Sequence, residues 1–180
     1  AAQNRGRARA GESRMGIGGG FYEAIRPICE WQLLRDLDKS RKVRVGLDAS
    51  GWEHKYARSL DPVAWVRDGD VQPVVDEVLK LLHKFEPLGI RVLLVFDGEP
   101  NPYKRDTDAR RAERREEARV KWEAALAQHV PGDAVSEQNL RKAAARAVSR
   151  QPAYAQALQA ALTQRGFQWE VAPFEADSQL

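Results

Sequence analysis

Three short segments rich in β-branched and apolar residues each close on an acidic residue, and no other feature constrains the fold as much. Val43, Val45 and Leu47 alternate with Arg44 and Gly46 and end at Asp48. Ile90-Arg91-Val92-Leu93-Leu94-Val95-Phe96 is nearly all apolar and ends at Asp97-Gly98. Phe167 to Val171 leads into Ala172-Pro173-Phe174-Glu175-Ala176-Asp177. Alternation marks a half-buried strand, and a continuous apolar run marks one covered on both faces of a parallel sheet. Helical patterns separate the three. A helix is expected from Ser50 to about Ser59. Over 72–88, Val75, Val78, Leu79 and Leu82 recur at helical spacing, Phe85 extends the stripe and Gly89 caps it. Further helices are expected over 104–128, 138–151 and 153–165, with 61–70 and 131–137 read as turns and a new helix starting at the last residues. Strands alternating with helices predict an α/β fold, a mainly parallel sheet flanked by helices.

Ligand sites of open α/β sheets lie at the carboxyl ends of the strands. Asp48, Asp97, Glu175 and Asp177 each fall at or just beyond such an end, so all four are expected on one edge. Two unit charges 4 Å apart interact by about 4 kcal/mol at an effective dielectric of 20, so such a cluster needs shared protons or bound cations. An all-oxygen donor set favours Mg²⁺ or Mn²⁺, and two such ions can activate a water and stabilise a leaving oxygen. Simpler readings exist for each acid. Asp48 before Ala49-Ser50 suits a helix N-cap, Asp97-Gly98 suits a turn, and Glu175 and Asp177 suit a helix dipole.

The charge distribution supplies a second element. The chain has 29 basic and 26 acidic residues, a net +3. That excess belongs to residues 1–14, where Arg5, Arg7, Arg9 and Arg14 face only Glu12. Over 104–165 there are 13 basic and 8 acidic groups, while 166–180 holds three acids and no base. On a continuous helix Lys104, Arg111 and Arg115 would fall within about 40° of one another, a row of cations for phosphate. The alternative is a solvated helix laced with ion pairs such as Glu113 and Glu117 with Arg110 and Lys121. A lone cysteine, Cys29, excludes a disulfide framework and a cysteine zinc cluster. No apolar run approaches the roughly 18 residues that would span a bilayer, so the expectation is a soluble, intracellular globular protein with no membrane partner.

These residues resemble the XPG superfamily of structure-specific 5′ nucleases, which includes flap endonuclease and exonuclease 1. Met15-Gly16-Ile17-x-Gly19 is similar to the family's start. Val45-Gly46-Leu47-Asp48-Ala49-Ser50 is similar to its first acidic motif, Val95-Phe96-Asp97-Gly98 to its second, and Ala172 to Leu180 to the start of its internal nuclease motif. The resemblance implies a PIN-like nuclease core over 15–180, with residues 104–150 as a helical arch and 167–180 opening the internal motif. It implies that Asp48, Asp97, Glu175 and Asp177 hold two Mg²⁺ ions, for which Mn²⁺ can substitute. Lys104 and Arg111 would grip the scissile phosphate as catalytic cations. Gly16, His54, Arg114 and Arg115 would contact DNA, with His54 stacking on a base. Trp52-x-His54-Lys55 and Glu175-Ala176-Asp177 lean toward the exonuclease 1 branch, whereas Gly18-Gly19-Gly20-Phe21 resembles the Holliday-junction resolvase branch.

The function so implied is hydrolysis of DNA at a 5′ flap, free 5′ end or junction in repair or replication. A non-catalytic nucleic-acid scaffold of the same fold and a PIN-type ribonuclease are the rival readings. Met15, the only methionine, is expected to be the natural start, leaving 1–14 as a disordered or upstream tail. The family's further acids and its helix–hairpin–helix lie downstream of its internal motif. The chain is therefore expected to be the N-terminal part of a longer, C-terminally truncated nuclease, poorly active alone. The nucleus is the expected compartment and the mitochondrion the second choice.

Overall fold

The computed structural model describes residues 43–180. Gly16, Met15, Cys29, the basic tail and residues 21–37, where apolar spacing interrupted by Pro27 predicts two short helical pieces, lie outside the described residues. Among the described residues, three strands form one parallel sheet in the order β1-β2-β3: β1 (Arg44–Asp48), β2 (Arg91–Phe96) and β3 (Gln168–Val171). The central strand is the most apolar one, because its neighbours cover both edges and helices cover its faces. Val92, Leu94, Val95 and Phe96 are all buried. β3 takes an edge, and Gln168, Glu170 and Val171 stay exposed there. The register sets Asp48 opposite Val95 and Val171 opposite Phe96. All three strands therefore finish within about two residues of one level, and the acids that follow them emerge along one edge.

Between β1 and β2 run α1 (Ala49–Ser59), α2 (Pro62–Asp68) and α3 (Gln72–His83). Between β2 and β3 run α4 (Arg105–Ala127), α5 (Ala134–Ala147) and α6 (Pro152–Gln164). α3 buries Val74, Val75, Val78, Leu79 and Leu82, and α6 buries Tyr154, Leu158 and Leu162. The two stripes meet, and each fully buried Leu or Val stabilises the fold by about 1.5–3 kcal/mol. A second cluster joins α2, α4 and α5: Trp122, Leu140 and Ala144 pack with Val63, Val66, Ala125, Ala143 and Ala147. The other described side chains of α4 are mostly exposed. Its ion pairs differ from the expected ones: Arg119 pairs with Glu116 and Glu123, and Arg111 with Asp108.

Several boundaries differ from the sequence reading, each for a local reason. The turn-rich 61–70 contains a helix, because Asp61 accepts hydrogen bonds from Val63 N and Ala64 N, Pro62 takes the first helical position and Gly69 stops it at φ 67°. α3 ends at His83 rather than running to 88. Pro87 cannot donate to the His83 carbonyl, so a 3₁₀ turn (Glu86–Leu88) follows, closed by Gly89 at φ 69°. α5 starts four residues early, at Ala134, because the Asp133 carboxylate accepts from Ser136 N at 2.8 Å. It also ends early: Val148 leaves the helix at ψ 120° and Gln151 is extended ahead of Pro152. The last residues form a 3₁₀ turn (Ala176–Ser178) rather than a helix. No helix among the described residues is long and apolar enough to cross a membrane.

Candidate active site at the strand ends

The edge is assembled by backbone as much as by side chains. Where β2 ends, Gly98 N donates to Phe174 O at 2.6 Å and Glu99 N to Pro173 O at 3.1 Å. A Cβ on Gly98 would overlap the Ala172 carbonyl oxygen, so only glycine lets the two loops close this tightly. That closure brings residues 172–177 against Asp97, whose Oδ1 accepts from Ala176 N at 2.7 Å.

Asp48 caps α1: its Oδ1 accepts from Ser50 N at 2.7 Å. The capping reading and the site reading are therefore compatible, since one oxygen caps and the residue still stands at the strand end. Ser50 links the first two acids. Its hydroxyl donates to Asp97 Oδ2 at 2.8 Å. Arg150 then joins, with Nη2 donating to Ser50 Oγ at 2.7 Å and forming an ion pair with the same Asp97 oxygen. The Asp97 side chain is only 17% exposed. Glu175 forms an ion pair with Lys104, and Asp177 is exposed.

The expected convergence of four carboxylates takes a different form. Among the described residues, no three His, Cys, Asp or Glu side chains stand together as a ready metal group. Mutual repulsion explains this. The carboxylates reduce it by pairing with cations, Asp97 with Arg150 and Glu175 with Lys104. The donor chemistry nonetheless fits a hard divalent ion, because Asp48 and Asp97 are joined through one serine and Glu175 and Asp177 follow on the adjoining loop.

The row of cations is also redistributed. Lys104 lies in a 3₁₀ turn (Pro102–Lys104) ahead of α4, so the helical projection does not extend to it. Arg111, Arg114 and Arg115 sit on the exposed face of α4. Of these, Arg115 is near enough to His54 on α1 to act on its charge. Burial first, then Arg58, Arg150 and Arg115, hold the His54 pKa below its usual value. His54 Nδ1 is buried with no hydrogen-bond partner among the described residues.

Three residues of this edge escape a sequence reading. Ser50 sits inside the first acidic motif, yet its link to Asp97 shows only in three dimensions. Arg150 follows α5 with no periodic relation to any acid. Glu53 is 5% exposed and accepts from Gln151 N at 2.7 Å. Burial pushes its pKa up to about 7, while the Gln151 amide and Arg150 pull it down. Its only sequence signal is a charged residue on the inner face of a short helix.

The chain is similar in sequence and in fold to known proteins. A family model described as the XPG N-terminal domain matches residues 15–118. Exodeoxyribonuclease 1 of Schizosaccharomyces pombe is 31% identical over 157 residues, covering 82% of this chain and 26% of that protein. Exonuclease 1 of Xenopus laevis is 29% identical over 136 residues, covering 76% and 18%. Flap endonuclease 1 of Methanococcoides burtonii is 38% identical over 66 residues, covering 37% and 20%. Two structures of the catalytic core of Rad2 in complex with DNA substrate share the fold. Their TM-scores are 0.55 and 0.56 at 22% and 20% identity, covering 89% of this chain and 40% and 38% of theirs. The chain thus spans about a quarter or less of the length of these curated relatives. With the family model covering more than half its residues, the chain belongs to the XPG family of 5′ nucleases and carries that family's N-terminal domain.

Proposed function

We propose that this chain is the N-terminal part of a divalent-metal-dependent nuclease that hydrolyses phosphodiester bonds in DNA bearing a 5′ flap, a free 5′ end or a junction. The observation that carries this reading is the Ser50 bridge, which ties the acids of two strand ends into one edge beside Lys104. Asp48, Asp97, Glu175 and Asp177 hold the metal, two Mg²⁺ ions with Mn²⁺ as a substitute. The ions, when bound, supply an activated water and charge stabilisation at the leaving oxygen.

This chain's own residues do the rest. Lys104 and Arg111 stabilise charge on the scissile phosphate. Lys104 is released for this when Glu175 turns to the metal. The hairpin of α4 and α5, within the 104–150 arch, guides a single strand with Arg114 and Arg115. His54, kept neutral by its burial and cationic neighbours, stacks on a base. The setting is DNA repair or replication, in the nucleus first and the mitochondrion second.

Cleavage of 5′-flap, 3′-flap and RNA-flap duplexes, in Mg²⁺ and in chelator, tests the reading on the longest natural form of the chain. Metal-dependent cleavage of the 5′-flap DNA is expected, with a loss of at least about 100-fold in Asp97→Ala. Full activity in that variant would place the active site elsewhere. A preference for the RNA flap would favour the PIN-type ribonuclease.

A further inference from the structure

Arg150 stands out because everything around it holds it at the acidic edge. The backbone on both sides is fixed: Ser149 O accepts from Trp65 Nε1 at 3.1 Å and Gln151 N donates to the buried Glu53 at 2.7 Å. The Gln151 side chain adds a longer bond to Trp65 O at 3.4 Å. The guanidinium meets Asp97 Oδ2 and Ser50 Oγ. Ala176 N occupies the other Asp97 oxygen, so both oxygens are engaged. A divalent cation drawing on Asp97 has to compete for the oxygen that Arg150 holds.

We propose that Arg150 is the resident counter-cation of the acidic edge, holding Asp97 when no divalent ion is bound and exchanging with the ion when one arrives. The inference rests on the metal-site reading above and deepens it. Two cations cannot share one partly buried carboxylate oxygen without strong repulsion, so occupancy by one excludes the other. Exchange keeps Asp97 in place throughout, because Ser50 and Ala176 N remain its partners. Arg150 is then a positioning residue. It lowers the apparent affinity for the ion by the stability of its own ion pair.

Calorimetric titration of the chain with Mg²⁺, and with Ca²⁺, tests the exchange without any turnover. Arg150→Gln is expected to tighten binding about tenfold. Arg146→Gln, which removes the same charge from α5 at a residue with no ion pair to the edge, is expected to change it less than twofold. In the unaltered chain, the ¹⁵N side-chain resonance of Arg150 is expected to shift on saturation with Mg²⁺. Equal or weaker binding in Arg150→Gln, an effect matched by Arg146→Gln, or an unmoved Arg150 resonance would overturn the exchange. Circular dichroism confirms the fold of each variant, and Arg150→Lys, expected between wild type and Gln, serves if the Gln variant fails to fold. Asp97→Asn separates the two readings. If it abolishes cation binding while Arg150→Gln changes nothing, the metal site stands and the exchange fails. If cations bind neither chain, or bind Asp97→Asn unchanged, both fail.

Discussion

Glu53 is the one charged side chain among the described residues to be buried, and its neighbours show why the position is tolerated. Its carboxylate satisfies Gln151 N, which as the N-cap of α6 has no acceptor within that helix, and Arg150 is close enough to lower its pKa. Burial nevertheless wins and raises the pKa from 4.5 to about 7. A folded-state pKa above the unfolded one means that the folded chain binds more protons in between. Glu53 therefore costs stability as pH rises from about 4.5 to about 7, up to about 3 kcal/mol above that window. His54 acts in the opposite direction: its lowered pKa removes stability as pH falls below its unfolded value of 6.5. The difference between Glu53→Gln and wild type isolates the carboxylate, since glutamine still accepts from Gln151 N. Urea unfolding monitored by circular dichroism is expected to show the variant gaining up to about 3 kcal/mol on wild type between pH 5 and pH 8. A constant difference across that range would mean that Glu53 is ionised throughout. The burial of this residue was invisible in its sequence context, where it reads as an ordinary charged position of α1.

The α4–α5 hairpin is held unevenly along its length. Trp122 is the only buried residue of α4 among its described side chains, so the turns before it rest on ion pairs such as Arg119 with Glu116, which contribute little each in water. The connecting loop is firmer. Asp133 caps α5 through Ser136 N, Ser136 Oγ accepts from Val130 N at 2.8 Å, and Glu137 accepts from Gly132 N at 3.1 Å. Removing the cap by Asp133→Ala is expected to lower stability by about 1 kcal/mol in chemical denaturation. Trp122→Ala removes the hairpin's central contact and costs more. The cap was hidden in the sequence, where Gly132-Asp133 reads as a turn and 131–137 as a break. The earlier helix start was decided by which hydrogen bonds the loop closes. The same ambiguity hid α2, whose Asp-Pro and Asp-Gly pairs signal turns and helix ends alike.

Across the whole molecule, charge is segregated rather than in large excess: acids at the strand ends, bases on the segment that links β2 to β3. Binding of a single strand along that segment is expected to weaken steeply with salt, because each phosphate contact releases a counterion. Replacing both Arg114 and Arg115 with alanine is expected to reduce the log–log salt slope by about 1.4, with Tm almost unchanged since both are exposed. Fluorescence anisotropy with labelled single strands across a salt series measures this, and an unchanged slope would remove the two residues from the interface. The sequence by itself determined the three strands, their parallel order of layers and the acids at their ends. Periodicity and strand-end chemistry are local, so they survive in one dimension. Only the tertiary structure decided which cation meets which acid. Arg150 reaches Asp97 across 53 positions and Lys104 reaches Glu175 across 71, while the uncharged Gln151 amide reaches Glu53 across 98. Ion pairs form by distance in space, and that distance exists only after the sheet, the helices and the Gly98 closure have brought distant loops to one edge.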